Sequence, residues 1–337
     1  MTPTLAAPSP ELVLTDAPQA FLKWPRQAYD DLVAWNASLL KVAHRRTPLH
    51  AWYQFRNPLA PERPDTAAFR QGRLTHAALL EPDVFDGEYA VLPENAPNRP
   101  TEKQLTEGKD SKPGTKAHTA WLGAHLRERW WKEYEESTTG FEVVSAADYA
   151  LAQRLRLAVL SHPGLQPSFA PDVISRDLNE LTLTWLDPAS GHRCKARIDA
   201  LRFSDAIRLM EVKTAEDAGP KPFGRSVANY DYLISAAFYL DGVRHCLPAI
   251  AEALGIDRRV LEGRPIEYEF IVIEKEEPHP VARYLADDDQ IHLGRELYQA
   301  ALAKVVAAEE IGYWAGYDRA AVPLQLPPWY LPRPATS

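Results

Sequence analysis

Cysteine is scarce in this chain: Cys194 and Cys246 are the two among 337 residues. Two thiols cannot build a four-thiolate zinc or iron–sulfur site, and they do not suggest a disulfide scaffold. A reducing, cytoplasmic setting is therefore expected. Long apolar runs are missing too. No stretch of about eighteen apolar residues occurs, so no membrane span is expected. Met1 to Glu11 has no basic stretch followed by an apolar one, so no signal peptide is expected. Glycine is outnumbered by proline, 16 to 29, which points to many rigid connections. Basic residues are in deficit: 38 Lys and Arg against 46 Asp and Glu, a net charge of −8. Backbone affinity for nucleic acid comes from Lys and Arg, so composition argues weakly against such a partner. Net charge says little about a local groove.

What is present is ordinary for a soluble globular protein: 45% hydrophobic and 25% charged residues. A chain of this length buries a large core without covalent staples. Residues 1–25 are Pro-rich without a sustained period and read as a loose arm. Residues 26–330 read as one domain, mainly helical over 26–165 and sheet-based over 166–330.

Apolar spacing predicts a helix over 27–43, although Asn36 or Ser38 could cap a second short helix there. A helix over 66–81 is stopped by Pro82. Gly72 lies inside it at a cost of about 1 kcal/mol relative to Ala, which suggests a close backbone approach or a functional surface. The polar stretch 93–116 reads as a long loop. A strong helix follows over 117–136, and Ser145-Ala-Ala-Asp148 reads as a capping box opening another helix to about Ser161. Alternation then predicts strands over 180–186, 193–203 and 207–213, a helix over 226–242, strands over 266–274 and 279–285, and a helix over 287–311. This order implies an α/β (α+β) fold with a central mixed β-sheet flanked by helices.

The chemistry concentrates at Asp199 and at Glu211-Val212-Lys213. Residues two apart on a strand share a face, so Glu211 and Lys213 project together while Val212 points into the core. If strands 193–203 and 207–213 form a hairpin, Asp199 comes beside Glu211. Two converging carboxylates make a hard-oxygen site for Mg2+, with Mn2+ as a substitute. Lys213 beside them can orient a water or offset charge building on a phosphate. An ordinary charged strand with Glu and Lys on its wet face is the alternative from spacing alone.

The surroundings favour the chemical reading. Gly72-Arg-Leu-Thr-His76, then Leu80-Glu81-Pro82 and Phe85, resembles the histidine helix of RecB-like nucleases in the PD-(D/E)xK superfamily, and more closely that of the RecE-type exodeoxyribonuclease VIII family. Lys195-Ala-Arg197-Ile-Asp199, Glu211-Val-Lys213-Thr214, Ala236-Ala-Phe-Tyr239 with Asp241-Gly242, and Val272-Ile-Glu274-Lys follow in that family's order. Trp314-x-Gly316-Tyr317 and Leu326-Pro-x-x-Trp329 resemble its closing segment. The resemblance runs from about Ser38 to Trp329.

That resemblance implies a restriction-endonuclease-like core with an N-terminal helical region. It implies a catalytic set of Asp199, Glu211, Lys213 and His76. It implies metal ligation by His76, Asp199, Glu211 and the Val212 carbonyl, and DNA contacts from Arg73, Tyr239, Ser235 and Arg197. Glu180 is a candidate additional acid. Each has a plain alternative: His76 as a satisfied buried histidine, Tyr239 as a core aromatic, Glu180 as a surface strand residue. Ser235 stands where the family usually has Gln, and a hydroxyl cannot reach the partners of an amide. Arg70, the run His44-Arg45-Arg46 and the basic residues of 99–116 are further phosphate candidates. Trp130-Trp131 reads as packing in preference to base stacking.

The implied function is a Mg2+-dependent exonuclease on linear double-stranded DNA, 5′ to 3′, in phage-type recombination or repair. Its implied partners are duplex ends, a single-strand-annealing recombinase and further copies of itself in a ring. A structure-specific endonuclease on the same fold, or a DNA-binding protein that has lost catalysis, are the competing readings.

Overall fold

The computed structural model describes residues 14–61, 65–169, 178–317, 320–324 and 326. Its helices are α1 (Arg26–Asp31), α2 (Ala37–Arg45), α3 (Pro48–Phe55), α4 (Ala67–Leu80), α5 (Pro82–Glu88), α6 (Glu102–Thr106), α7 (Lys116–Ser137), α8 (Ala146–Ser161), α9 (Gln166–Phe169), α10 (Pro220–Asn229), α11 (Tyr232–Leu254) and α12 (Asp288–Ile311). Its strands are β1 (Gln19–Phe21), β2 (Tyr89–Leu92), β3 (Glu142–Ser145), β4 (Asn179–Leu186), β5 (Arg193–Phe203), β6 (Ile207–Ala215), β7 (Ile266–Glu274) and β8 (Val281–Leu285). No helix among the described residues is long and apolar enough to cross a membrane.

A six-stranded mixed sheet, ordered β1-β4-β5-β6-β7-β8, forms the centre. β6 and β7 are parallel, and the other neighbours are antiparallel. A parallel pair needs a long crossover, and here α10 and α11 supply it. The alternation on β6 separates two cores. Leu209 joins the large core with Phe238, Val243 and Tyr298, while Met210 and Val212 join a smaller one with Leu80, Leu155 and Val159. The sheet is thus covered on both faces.

Several elements depart from the sequence expectation. The helix expected over 27–43 is broken into α1 and α2. Between them the chain is pulled straight: the Trp35 N–H donates to the Arg193 carbonyl at 2.9 Å, and the Lys195 N–H donates to the Trp35 carbonyl at 2.8 Å. Asn36 then caps α2 by accepting from the Leu39 N–H. Pro82 does end α4, yet it also opens α5 from the first helical turn, where its missing N–H costs nothing. Within the expected loop 93–116, Thr101 and Gln104 form a capping box that starts α6. The helix expected over 226–242 is two helices, joined at Asp231 in a left-handed conformation (φ 47°).

Gly242 does not end α11. It lies within that helix, where a Cβ would meet the Trp185 ring at 2.7 Å. Part of the expected arm is not loose, since Gln19–Phe21 pairs with β4. Residues 1–13 of that arm, and most of Leu326 to Trp329, lie outside the described residues. Gly72 has open space around a would-be Cβ, so no close backbone approach explains it.

Candidate metal centre

The site forms where β4, β5 and β6 run side by side. The β4–β5 register, Asn179 opposite Ala200 and Leu181 opposite Ile198, sets Glu180 across from Asp199. The β5–β6 register, Ala200 opposite Met210, sets Glu211 across from Asp199 on the other side. Asp199 is therefore the middle acid of three. Its Oδ2 accepts the Val212 N–H at 2.8 Å, which ties it to the Glu-x-Lys strand.

α4 delivers the fourth group. Leu80 packs into the smaller core with Val212, and this seats His76 over the strand. His76 Nε2 and the Val212 carbonyl are 2.9 Å apart, with the ring donating. In the neutral ring Nδ1 is then the nitrogen with a free lone pair. It faces Asp199 Oδ2 at 3.7 Å and Glu180 Oε1 at 3.9 Å. A metal-binding histidine commonly donates its other N–H to a carbonyl in this way. The Val212 carbonyl, expected as a metal ligand, is the group that accepts from His76 here.

His76, Glu180 and Asp199 offer ligand atoms that all lie within 4.8 Å of one another. Adjacent ligands around an octahedral divalent ion stand about 3–4 Å apart, so the most widely spaced of these atoms need to draw in by about 1–2 Å. Two carboxylates and an imidazole suit a hard or borderline divalent cation. Glu211, expected as a ligand, is instead committed elsewhere. It pairs with Lys213 and accepts from the Tyr268 hydroxyl. Among the described residues Glu180, expected as an additional acid, is the carboxylate that clusters with His76 and Asp199.

The electrostatics follow from burial and neighbours. Burial, reinforced by Glu211, pushes Asp199 up to about 6, against the lowering pull of His76 and Lys213. Burial alone would lower His76, but Asp199 and Glu180 outweigh it and raise its pKa. Glu211 is held below its ordinary range: burial opposes this, and Lys213, Lys41 and Tyr268 prevail. Lys213 is raised despite burial, because Glu211 and Asp199 stabilise its charge. It therefore stays protonated at neutral pH.

The expected DNA contacts fare unequally. Tyr239 is half-buried, and burial together with the charges of Glu211, Asp199 and Glu180 raises its hydroxyl's pKa, which sets it beside the acids. Ser235 is 2% exposed inside α11, so it is a core residue. The Arg197 side chain is 9% exposed and pairs with Glu180 inside the fold. Arg73 is engaged by Asp65 at 2.7 Å and Glu142 at 2.9 Å. Arg70 donates to the Asp65 carbonyl. Arg45 pairs with Asp231. In the 99–116 stretch, the Leu105 carbonyl accepts from Trp121 Nε1 at 3.1 Å and holds α6 against α7. Trp131 donates to the Pro97 carbonyl and carries Arg99 on its ring, while Trp130 stacks on Tyr134, so both indoles pack.

Sequence reasoning missed Lys41 on α2 and Tyr268 on β7. Lys41 is lowered to about 8, burial outweighing the support of Glu211. Nothing in the local pattern of α2 marks it. Tyr268 could have been found from the strand pattern of 266–274, had the parallel register with β6 been known.

The mixed sheet and this acid–lysine centre define a PD-(D/E)xK-type nuclease fold. The chain belongs to the family described as PDDEXK-like domain of unknown function (DUF3799), whose model matches residues 38–318. No curated protein matches the chain by sequence. A crystal structure from Eubacterium rectale, provisionally named an exonuclease, is similar at 11% identity and a TM-score of 0.48, covering 85% of this chain and 84% of that one.

Proposed function

We propose that this chain is a Mg2+-dependent deoxyribonuclease, and specifically an exonuclease that degrades linear double-stranded DNA 5′ to 3′ in phage-type recombination or repair. The observation that carries the nuclease reading is the convergence of His76, Glu180 and Asp199 beside the Glu211–Lys213 pair. Family membership supports it. The finer claims rest on the ordered motifs that resemble RecE-type exonucleases. These claims are exonuclease action, polarity, a ring of copies and a recombinase partner.

His76, Glu180 and Asp199 would hold the cation. A divalent ion bound there supplies Lewis-acid polarisation of a phosphate oxygen and a water of lowered pKa. The chain's own residues do the rest. Lys213, charged and held by Glu211, presents an ammonium that offsets negative charge growing on the phosphate. Glu211 keeps that ammonium in place, and the Tyr268 hydroxyl fixes Glu211 in turn. The Val212 carbonyl fixes the His76 ring.

The test is a cleavage assay on end-labelled linear duplex and covalently closed circles, with Mg2+, Mn2+ or EDTA. Stepwise mononucleotide release from 5′ ends of linear duplex, with circles spared, is the expected result. Cutting of closed circles rejects the exonuclease in favour of an endonuclease. Absence of cleavage with either metal rejects the nuclease and leaves a DNA-binding protein.

A further inference from the structure

β5 carries a ladder of cations on alternate residues, and all of it grips the segment that precedes α2. Arg193 donates to the Thr15 carbonyl at 2.8 Å and pairs with Asp16 at 3.2 Å. Lys195, buried, donates to the carbonyls of Tyr29 at 2.5 Å and Leu32 at 2.8 Å. Arg197 donates through one nitrogen to the Trp24 carbonyl at 3.1 Å and through another to Glu180. The next residue in the same alternation is Asp199. One strand thus welds residues 15–32 to the metal centre, although the family match begins only at residue 38.

Glu180 itself is in a left-handed conformation, φ 52°. A non-glycine residue persists there only where its surroundings over-determine it. Arg197 is the group that grips its side chain, together with the weaker approach of His76. Arg197 is also 3.8 Å from Glu81, the residue that ends α4, the helix carrying His76.

Resting on the reading of His76, Glu180 and Asp199 as cation ligands, we infer that Arg197 is a positioning residue. It aims the Glu180 carboxylate at the cation and couples that ligand to the N-terminal segment through Trp24. Its planar fork suits this double task, because one nitrogen serves the carboxylate while another serves the carbonyl. A lysine offers a single ammonium and can keep only part of the arrangement.

The probe is Mn2+ alone, titrated into the full-length chain and followed by the paramagnetic resonance of the free ion. Arg197→Gln is expected to weaken Mn2+ binding by about 10- to 100-fold, the usual consequence of removing a group that orients a ligand. Arg197→Lys is expected to recover part of that loss. In a Glu180→Gln background, Arg197→Gln should cost nothing further, because its effect runs through Glu180.

Unchanged Mn2+ affinity in Arg197→Gln, or additive losses in the double variant, overturns the inference. So does a duplex-binding salt slope that falls by about one charge with metal affinity intact, which marks a phosphate contact. Hydrogen exchange on the unaltered chain supplies a readout that needs no variant to fold: Mn2+ should slow exchange over residues 24–32, and unchanged exchange there overturns the coupling. A wild-type chain that binds no Mn2+ removes the nuclease reading itself. One that binds Mn2+, with Arg197→Gln binding equally tightly, removes only the inference.

Discussion

The Asp199 carboxylate accepts the Val212 backbone N–H at 2.8 Å, so the central acid of β5 is bonded directly to the strand that carries Glu211 and Lys213. The same residue, Val212, gives its carbonyl to His76. One peptide unit on either side of Val212 therefore orients both an acid and an imidazole. The side chain of Val212 is fully buried between them and the smaller core, which makes the arrangement stiff.

Burying Asp199 costs stability once it ionises. Its folded-state pKa is raised from 3.8 to about 6, so the protonated form favours the fold at low pH and that contribution is lost as pH rises through about 6. Asp199→Asn has no such titration. In EDTA it should be more stable than the wild type at about pH 8, by on the order of 2 kcal/mol, with the gap closing towards about pH 4. His76, raised by the same acids, pushes the wild-type curve in the same direction. Urea melts across this range check it; a gap independent of pH removes the argument.

Lys213→Ala should abolish cleavage while the chain still folds and binds duplex. Glu211, left without its nearest cation, keeps the Tyr268 hydroxyl and the field of Lys41. Loss of a positioned charge at the reacting phosphate costs about 100- to 1000-fold in turnover. Single-turnover cleavage with Mg2+, alongside circular dichroism and duplex binding in Ca2+, makes the measurement. Near-normal turnover would show that Lys213 is not part of the chemistry.

Glu180 and Glu211 should separate by metal affinity. Glu180 clusters with His76 and Asp199, whereas Glu211 pairs with Lys213 and accepts from the Tyr268 hydroxyl. Without DNA, Glu180→Gln should weaken Mn2+ binding by at least about tenfold and Glu211→Gln by less, because only the first change removes a coordinating charge. Calorimetric titration of the two variants decides between them, and the reverse order returns Glu211 to the ligand set.

Two glycines should respond oppositely to alanine. Gly294 in α12 approaches α11 so closely that a Cβ would lie 2.1 Å from the Leu233 carbonyl oxygen. Gly294→Ala should therefore destabilise by about 1–3 kcal/mol through overpacking. Gly72 in α4 has open space, and Gly72→Ala should stabilise by about 1 kcal/mol from helix propensity alone. Thermal melts of both variants test the pair. A stability loss at Gly72 would show that something other than propensity governs that position.

Much of the sheet was legible in the residues. The bounds of β5 and β7 follow from alternation, and period two alone puts Glu211 and Lys213 on one side with Val212 on the other. The motif Lys195-x-Arg197-x-Asp199 is visible in the sequence, but the partners of Arg197, expected to contact DNA, are not: it bonds to the Trp24 carbonyl and to Glu180. The physical cause is that a side chain's partner is chosen by whatever segment packs over it.

Sequence alone determined the strands β4 to β8, though not β1, β2 or β3, which way their side chains alternate and that acids, a lysine and a histidine are available. Tertiary structure decided the register that sets Glu180 beside Asp199, the approach of His76 to Val212 across 136 positions of chain, and the diversion of Glu211 to Lys213 and Tyr268. Local preferences fix direction over a few residues, whereas pairing between strands and docking of a distant helix are settled by how the whole chain buries its apolar surface.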